Sequence, residues 1–165
     1  MAGEGQYSIT IQGMDELIKK LGPERIGGPA LAFLEKAGHI VEAKAKQRAP
    51  VDRGRLRASI STQVEGHPGD IAHMRAVVGT SLTYAPFVEF GTKPHWPPLS
   101  ALQPWARRHG FPPGNKGAFL VARKIAQFGT PPRPYLLPAL AESGNEINAL
   151  LKEMAQDIEQ AMERD

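Results

Sequence analysis

The chain has 165 residues, of which 41% are hydrophobic and 22% charged, a balance typical of a single soluble globular domain. It has no cysteine, which excludes disulfides, thiolate nucleophiles and thiolate metal sites. No apolar run approaches the roughly 18 residues that a membrane-spanning helix needs. The first residues lack the basic-then-apolar order of a signal peptide. We therefore expect one domain over residues 1–165 that is made in the cytoplasm and has no membrane partner.

The formal net charge of +3 conceals a strong separation of charge along the chain. Residues 1–42 carry four basic and six acidic groups, and residues 43–133 carry fourteen basic and four acidic groups. Residues 134–165 carry two basic and seven acidic groups. A basic middle and an acidic end can attract each other within one chain or between neighbouring copies, although solvated faces without a partner give the same pattern.

The first elements in chain order are a strand and two helices. Residues 7–11 alternate apolar and polar side chains, which predicts a short strand. Residues 14–21 predict one or two helical turns. A long helix is predicted over residues 30–48, with Pro29 at its start, where the missing N–H is tolerated. Its apolar and small residues recur at steps of three and four, as in a helix with one packed face. They are Leu31, Leu34, Gly38, Val41 and Ala45.

The middle of the chain predicts extended segments followed by a short helix. Two extended segments are predicted over residues 57–64 and 72–79, with a turn at 66–70 between them. Residues 84–90 are too few for periodicity to decide, and we prefer one or two helical turns that Gly91 caps.

The tripeptide Phe-Gly-Thr occurs twice, and each copy is followed after one residue by a proline. The copies are Phe90-Gly91-Thr92 and Phe128-Gly129-Thr130. We expect the chain to leave the domain at the first copy and to return at the second. Residues 93–130 would then form an insertion.

The insertion predicts a helical hairpin. Residues 99–109 suit a helix with Ser100 as its N-cap, and residues 118–127 suit a second helix. The loop 111–117, rich in proline and glycine, separates them. The second helix has one apolar face, formed by Phe119, Ala122, Ile125 and Ala126.

The C-terminal part predicts a long amphipathic helix over residues 140–162. Its apolar stripe advances in steps of three and four, and the opposite face is strongly acidic. The stripe consists of Leu140, Gly144, Ile147, Leu151, Met154, Ile158 and Met162. A stripe this narrow can pack on the protein's own sheet, which we favour, or bind a helix of a neighbouring subunit.

Arginines alternate along one short segment of the chain. In an extended conformation Arg53, Arg55 and Arg57 would share a face suited to phosphates or carboxylates. Nucleic acid is one possible partner, but no helix-turn-helix, zinc finger or aromatic RNA-binding pattern accompanies them. We favour pairing with the acidic C-terminal helix of the same or the next copy. Arg107 and Arg108 form a second basic spot, which either faces a partner or is solvated.

The sequence predicts no catalytic, cofactor or metal site. Its five histidines do not fall in a metal-binding spacing, and its serines lack a nucleophile-elbow sequence. Asp52 and Glu89 are the only carboxylates in the distinctive motifs. Asp52 can set a turn near Gly54 through a backbone hydrogen bond, and Glu89 can pair with an arginine. We therefore predict a protein that is not an enzyme.

Three sequence patches occur in a fixed order. They are APVDRGRLRASI at residues 49–60, YAPFVEFGT at 84–92 and RPYLLPAL at 133–140. Together they resemble the tail-component family of long, non-contractile-tailed phages of the lambda-like type. Members of that family are neck or tail-completion proteins, which join the tail tube to the filled head. Arg53 stands where the family usually has Thr, and Tyr135 where it usually has Phe.

The resemblance implies an α+β fold, in which a long helix and a C-terminal helix pack on a small antiparallel sheet that carries the inserted hairpin. It also implies a structural role for the motif residues. These are Asp52, Gly54, Leu56, Tyr84, Phe90, Gly91, Thr92, Gly129, Pro134, Tyr135 and Leu136. Those expected in the core are Leu56, Val88, Phe90, Tyr135 and Leu136.

The function implied by the resemblance is binding rather than chemistry. The protein would form a ring, most often six-fold, at the head-proximal end of the tail in the virion neck, and help to join tail and head. Its partners would be its own copies and the neighbouring connector and tail-tube proteins, with DNA passing through the lumen. The candidate interface residues are Arg53, Arg55, Arg57, Glu89, Arg107 and Arg108. A tail-terminator ring and a nucleic-acid-binding protein that acts before packaging are the alternatives.

Overall fold

A computed structural model describes residues 7–10 and 22–163 of the chain. The fold is α+β, as predicted. The strands are β1 (Tyr7–Thr10), β2 (Ser61–Glu65) and β3 (Arg75–Gly79), and a 3₁₀ turn (Ile71–His73) precedes β3. The helices are α1 (Pro23–Arg48), α2 (Arg55–Ser59), α3 (Ala85–Phe90), α4 (Leu99–Arg108), α5 (Asn115–Phe128), α6 (Leu136–Glu142) and α7 (Gly144–Glu163). The helical turns predicted at residues 14–21 lie outside the described residues.

The chain divides into two compact units. The first consists of the segments up to Ala85 and from Pro134 onward, and the second of Pro86–Arg133. We call them the core unit and the hairpin unit.

The sheet of the core unit has three antiparallel strands in the order β1-β3-β2. Val78 of the central strand lies opposite Tyr7 of β1 and Thr62 of β2. Alternation along β3 buries Ala76 and Val78 on the same face. The sheet therefore presents one apolar face to a helix.

Helix α1 packs against the sheet and against both C-terminal helices. Its buried residues recur at steps of three and four, as predicted. They are Ile26, Ala30, Phe33, Leu34, Ala37, Val41 and Ala45. Gly38 allows the sheet to approach closely, because a side chain there would collide with Thr62. The long helix of the sequence prediction thus organises the core.

The predicted start of α1 is wrong. The helix begins at Pro23, and Pro29 lies inside it. Pro23 occupies the first turn, where its missing N–H is not needed. The turns before Pro29 are stabilised by packing, since Ile26 is fully buried and Gly27 lies so close to Pro68 that a side chain would collide with it. Tertiary packing rather than propensity therefore decides where this helix starts.

Residues 55–59 form helix α2, so the extended segment predicted over 57–64 begins only at Ser61, with β2. Gly54, with φ of +74°, precedes the helix, and Leu56 is buried within it. Arginine, leucine and alanine are good helix formers, and burial of Leu56 fixes the turn. Because helical residues two apart are rotated by about 200°, Arg55 and Arg57 project in different directions. The predicted common arginine face is therefore wrong.

The predicted C-terminal helix is in fact two helices that meet at Ser143. The N–H of Ser143 is shared between the carbonyl oxygens of Ala139 (3.2 Å) and Leu140 (3.1 Å). Its hydroxyl donates to Ala139 O at 2.7 Å, which closes α6. Helix α7 then begins at Gly144.

Helix α7 packs within its own chain, as favoured from the sequence, but its main contact is with α1 rather than with the sheet. Met154 and Ile158 are buried in the core cluster, and Ile147 and Leu150 pack at its edge. The predicted stripe residue Leu151 is instead 39% exposed. Ile147, Leu150, Met154 and Ile158 recur at steps of three and four, so Leu150 rather than Leu151 completes the inward stripe.

In the hairpin unit, α4 and α5 pack against each other, which confirms the predicted helical hairpin. Gln103 Nε2 donates to Asn115 Oδ1 at 2.6 Å across the pair. The predicted N-cap Ser100 is wrong, because α4 begins at Leu99, directly after Pro98, without a side-chain cap. Pro98 itself occupies the N-cap position with φ −59° and ψ 127°, so the cap lies two residues earlier than predicted.

Candidate assembly surfaces

The two Phe-Gly-Thr copies lie side by side in the hairpin unit. Thr92 N–H donates to Thr130 O at 3.1 Å, and both the N–H and the hydroxyl of Thr130 donate to Thr92 Oγ1 at 3.0 Å. Gly91 and Gly129 have φ of +74° and +70°. A side chain at Gly91 would collide with Thr130 O, and one at Gly129 with Thr92 O. The repeated motif is therefore a structural joint that needs glycine in both copies.

Helix α3 buries its carboxylate and exposes its aromatic rings. Ala85 and Glu89 are 1% and 2% exposed, whereas Phe87 and Phe90 are 60% and 56% exposed. Residues three or four apart share a helix face, so Phe90 lies with Phe87 on the face opposite Ala85. The prediction that Phe90 belongs to the core is therefore wrong.

The other motif residues divide between core and surface. Leu56, Tyr135 and Leu136 are buried, and Val88 is half-buried. Tyr84 is 41% exposed. The remaining exposed motif positions are Asp52 and Pro134.

The candidate arginines are all exposed, in contrast to Glu89. Arg53, Arg55 and Arg57 lie in the core unit, and Arg107 and Arg108 lie at the end of α4 in the hairpin unit. Within the described part of the chain, no hydrogen bond or ion pair holds the side chains of Arg53, Arg55 and Arg57. They are available to bind anionic groups.

The acidic C-terminal helices pair with the basic end of α1. Lys44 Nζ lies 2.7 Å from Glu146 Oε1 and donates to Glu142 O at 2.9 Å. Arg48 pairs with the Glu142 carboxylate. The pairing favoured from the sequence, between Arg53–Arg57 and this acidic segment, does not form among residues 22–163, which the structure describes. Exposed pairs of this kind contribute about 0–1 kcal/mol each.

The pKa of one carboxylate of α1, Glu42, is shifted by its surroundings. Glu42 Oε1 lies 2.6 Å from Lys46 Nζ. Burial on its own would raise the pKa of Glu42, but the hydrogen bond from Lys46 and the charge of Lys46, with Thr62 nearby, outweigh it and leave the pKa below its usual value. Glu42 is therefore anionic in the folded protein down to acidic pH.

The outer face of α5 is a surface that the sequence did not reveal. Phe119 and Leu120 are 46% and 48% exposed, and Trp96 (54% exposed) contacts Phe119 edge-on, with ring centroids 5.7 Å apart. Of the predicted apolar face, Ala122 is buried and Ile125 and Ala126 are half-buried, but Phe119 is exposed and Ala118 is buried instead. Small residues, rather than large ones, marked the packed face.

Three exposed cations flank these apolar side chains on the same helix. They are Lys116, Arg123 and Lys124. We call these three cations, with Trp96, Phe119 and Leu120, the α5 outer patch. Within the described residues no ion pair or side-chain hydrogen bond holds any of the three cations.

A shallow depression lies between α1 and α7 in the core unit. Its lining combines apolar and charged side chains, which are Phe33, Lys36, Leu150, Glu153, Met154 and Asp157. Its volume of about 20 Å³ holds little more than one water molecule. In the described residues no group of three or more His, Asp or Glu is arranged to hold a metal ion. None of the described helices has the length and apolar character needed to cross a membrane.

Residues 14–91 match the model of the HK97-gp10-like family, described as "Bacteriophage HK97-gp10, putative tail-component". The match covers a little under half of the chain and includes the patches at residues 49–60 and 84–91. It confirms the predicted resemblance to phage tail components. No curated protein and no solved structure matches the chain.

Proposed function

We propose that this protein is a structural component of the phage neck, which forms a ring at the head-proximal end of the tail and helps to join tail and head. The observation that carries the proposal is the match of residues 14–91 to a phage tail-component family. The patch at 133–140, outside that match, extends the resemblance toward tail-completion proteins. The protein would act by binding in the virion, without a cofactor or catalysis.

Charge supports assembly from identical copies. A closed ring uses heterologous contacts, in which one surface of a copy meets a different surface of the next. Each copy carries exposed basic side chains, among them Arg53, Arg55 and Arg57, and exposed acidic side chains on helix α7, so neighbouring copies can attract each other. Six copies would match a six-fold tail tube.

We further propose that the chain is a single tail-completion domain with residues 93–130 as an insertion. The bridge between Thr92 and Thr130 supports this division, because it joins the two ends of the segment. The insertion would face a neighbouring protein, and it would adapt a common fold to one particle.

Electron microscopy of particles made without this protein tests its position in the assembly. If it joins tail and head, full heads and finished tails will accumulate separately. Overlong tail tubes would instead identify a tail terminator. Normal joined particles would refute both roles.

The exposed arginines allow a second test. We expect Arg55→Glu with Arg57→Glu to abolish infectious particles while the isolated protein stays folded, since both side chains are exposed. The matched control is Arg55→Lys with Arg57→Lys, which preserves the charge. Normal infectivity of the glutamate variant would contradict a role of these residues in the neck.

Nucleic-acid binding before packaging is tested with the purified protein. Binding to duplex DNA that weakens steeply with salt would favour it, because phosphate contacts release counterions. A neck ring should bind DNA weakly, since tight phosphate contacts would impede its passage.

A further inference from the structure

We propose that the α5 outer patch docks on the acidic C-terminal half of α7 in a second copy of this chain. The proposal rests on the proposed ring and names the two surfaces that would meet in it. Residues 93–130 would then serve as the arm by which each copy holds the next.

The apolar side chains of the patch are so exposed that packing within the hairpin does not account for them. Trp96, Phe119 and Leu120 are each about half exposed. Clusters of large apolar side chains on a surface commonly mark sites of interaction. Aromatic residues are also enriched in the energetically important centres of protein interfaces.

The basic part of the patch has no counter-ion in its own unit. Lys116, Arg123 and Lys124 are exposed, and residues 86–133 contain a single carboxylate, Glu89, which is buried. The occupant of the patch should therefore carry negative charge beside apolar groups.

Helix α7 carries such a surface. Its four exposed carboxylates without an ion pair in the described residues are Glu153, Asp157, Glu159 and Glu163. Glu146, in the first turn of α7, is already paired with Lys44, so the free negative charge is concentrated in the second half of the helix. Glu153 and Asp157 line the same depression as Leu150, which supplies an apolar group beside the negative charge.

A second copy fits these properties better than nucleic acid does. The patch and its complement are both present on every copy, and they are different surfaces, as a closed ring requires. A phosphate backbone would satisfy the three cations but would leave the aliphatic Leu120 without a partner.

Charge exchange between two variants tests the contact. The first variant carries Arg123→Glu and Lys124→Glu, and the second carries Glu153→Lys and Asp157→Lys. Each alone should lose self-association by at least about tenfold, because like charges would face each other. In an equal mixture every patch meets an α7 of opposite sign, so the mixture should regain the oligomer. Sedimentation velocity gives the mass of each sample.

The controls separate this contact from a general effect of charge. Lys93→Glu reverses one exposed cation of the same unit and should leave assembly unchanged, whereas Arg123→Glu should weaken it. Circular dichroism should show that all variants keep the helical content of the wild type.

Several results would overturn the docking proposal. They are a wild-type protein that stays monomeric at its highest soluble concentration, single variants that assemble normally, and a mixture that fails to recover. Loss of salt-dependent DNA binding in the first variant, with unchanged self-association, would identify nucleic acid as the occupant. If the variants form normal oligomers and normal particles, only the docking surface is wrong. If particles lacking the protein are fully joined, the proposed function itself fails.

Discussion

The core unit and the hairpin unit use apolar side chains in opposite ways. Helix α1 buries four of its six large apolar residues and half-buries the other two, and fully buried Leu34 and Val41 lie at its centre. Residues 86–133 are under a third of the chain, yet they hold eight of the twelve large hydrophobic side chains that the described structure exposes. The first unit is built to fold, and the second also displays surface for contact.

The same contrast holds for charge. The core unit contains ion pairs such as Lys44–Glu146 and Arg75–Glu65. The hairpin unit contains seven lysines and arginines but only one carboxylate, Glu89. Its charges cannot be neutralised within the unit, and its joint is held by hydrogen bonds between Thr92 and Thr130.

The largest expected effect comes from truncating the centre of the core. Leu34→Ala should lower the free energy of unfolding by about 2–5 kcal/mol, because it removes a fully buried side chain and leaves a cavity. Phe128→Ala removes a larger side chain that is 73% exposed, and it should change stability by no more than about 0.5 kcal/mol. Denaturant unfolding measures both. A comparable loss from Phe128→Ala would show that the hairpin unit has a core of its own at this position.

The joint of the hairpin unit provides the next test. Gly129→Ala places a side chain on a backbone with φ +70° and ψ −160° and against Thr92 O. We expect a local loss of about 1–3 kcal/mol, from backbone strain and the collision. Hydrogen exchange at Thr92 and Thr130 should accelerate, while exchange in α1 stays unchanged.

The control for this joint is another glycine of nearly the same conformation. Gly114 has φ +73° and ψ −149°, and a side chain there would meet open space. Gly114→Ala therefore reports the backbone strain without the collision. If both variants lose equal stability, the close approach between the two Phe-Gly-Thr copies contributes nothing.

The two units also differ in how well their buried helix faces could be predicted from the sequence. In the core unit the stripe Leu34, Val41 and Ala45 predicted the packed face of α1 correctly, although not where the helix begins. In the hairpin unit the fully buried residues of α5 are small, and the large residue Phe119 lies on the surface. The spacing of large apolar residues predicts the buried face of a helix only where no large apolar residue lies on the exposed face.

Short elements were harder to predict than long ones. Arg55 and Arg57 alternate as they would in a strand, but the backbone of Gly54 and the burial of Leu56 make the segment helical. Phe90 belongs to the motif that identified the family, and nothing in six helical residues shows which side faces inward. The partners Glu142 and Glu146 of α1 lie about a hundred residues away from it, and only the tertiary structure brings them together.

Glu42 of the core unit should make the free energy of unfolding depend on pH in the acidic range. The pKa of Glu42 is lowered below 4.5 in the folded protein, so its contribution to stability is present above that pH and is lost as the pH falls through the lowered value. Glu42→Gln should therefore destabilise the protein above pH 4.5, and the difference from wild type should shrink below it. Unfolding curves at a series of pH values test this. A difference that does not change with pH would show that Glu42 acts through packing alone.

The smallest expected effect concerns an exposed pair in the turn before β3. His73 Nδ1 lies 2.8 Å from Asp70 Oδ1, and this hydrogen bond, with the charge of Asp70, raises the pKa of His73 above 6.5. The stability that the pair contributes is thus fully present below pH 6.5 and is lost as the pH rises through the raised value. Titration by NMR should give a lower pKa for His73 in Asp70→Asn than in the wild type, and high salt should reduce the difference. Identical titration curves would show that the pair does not form in solution. Exchange at Thr92 and Thr130 should not follow this titration, because the hydrogen bonds of that joint involve no ionisable group.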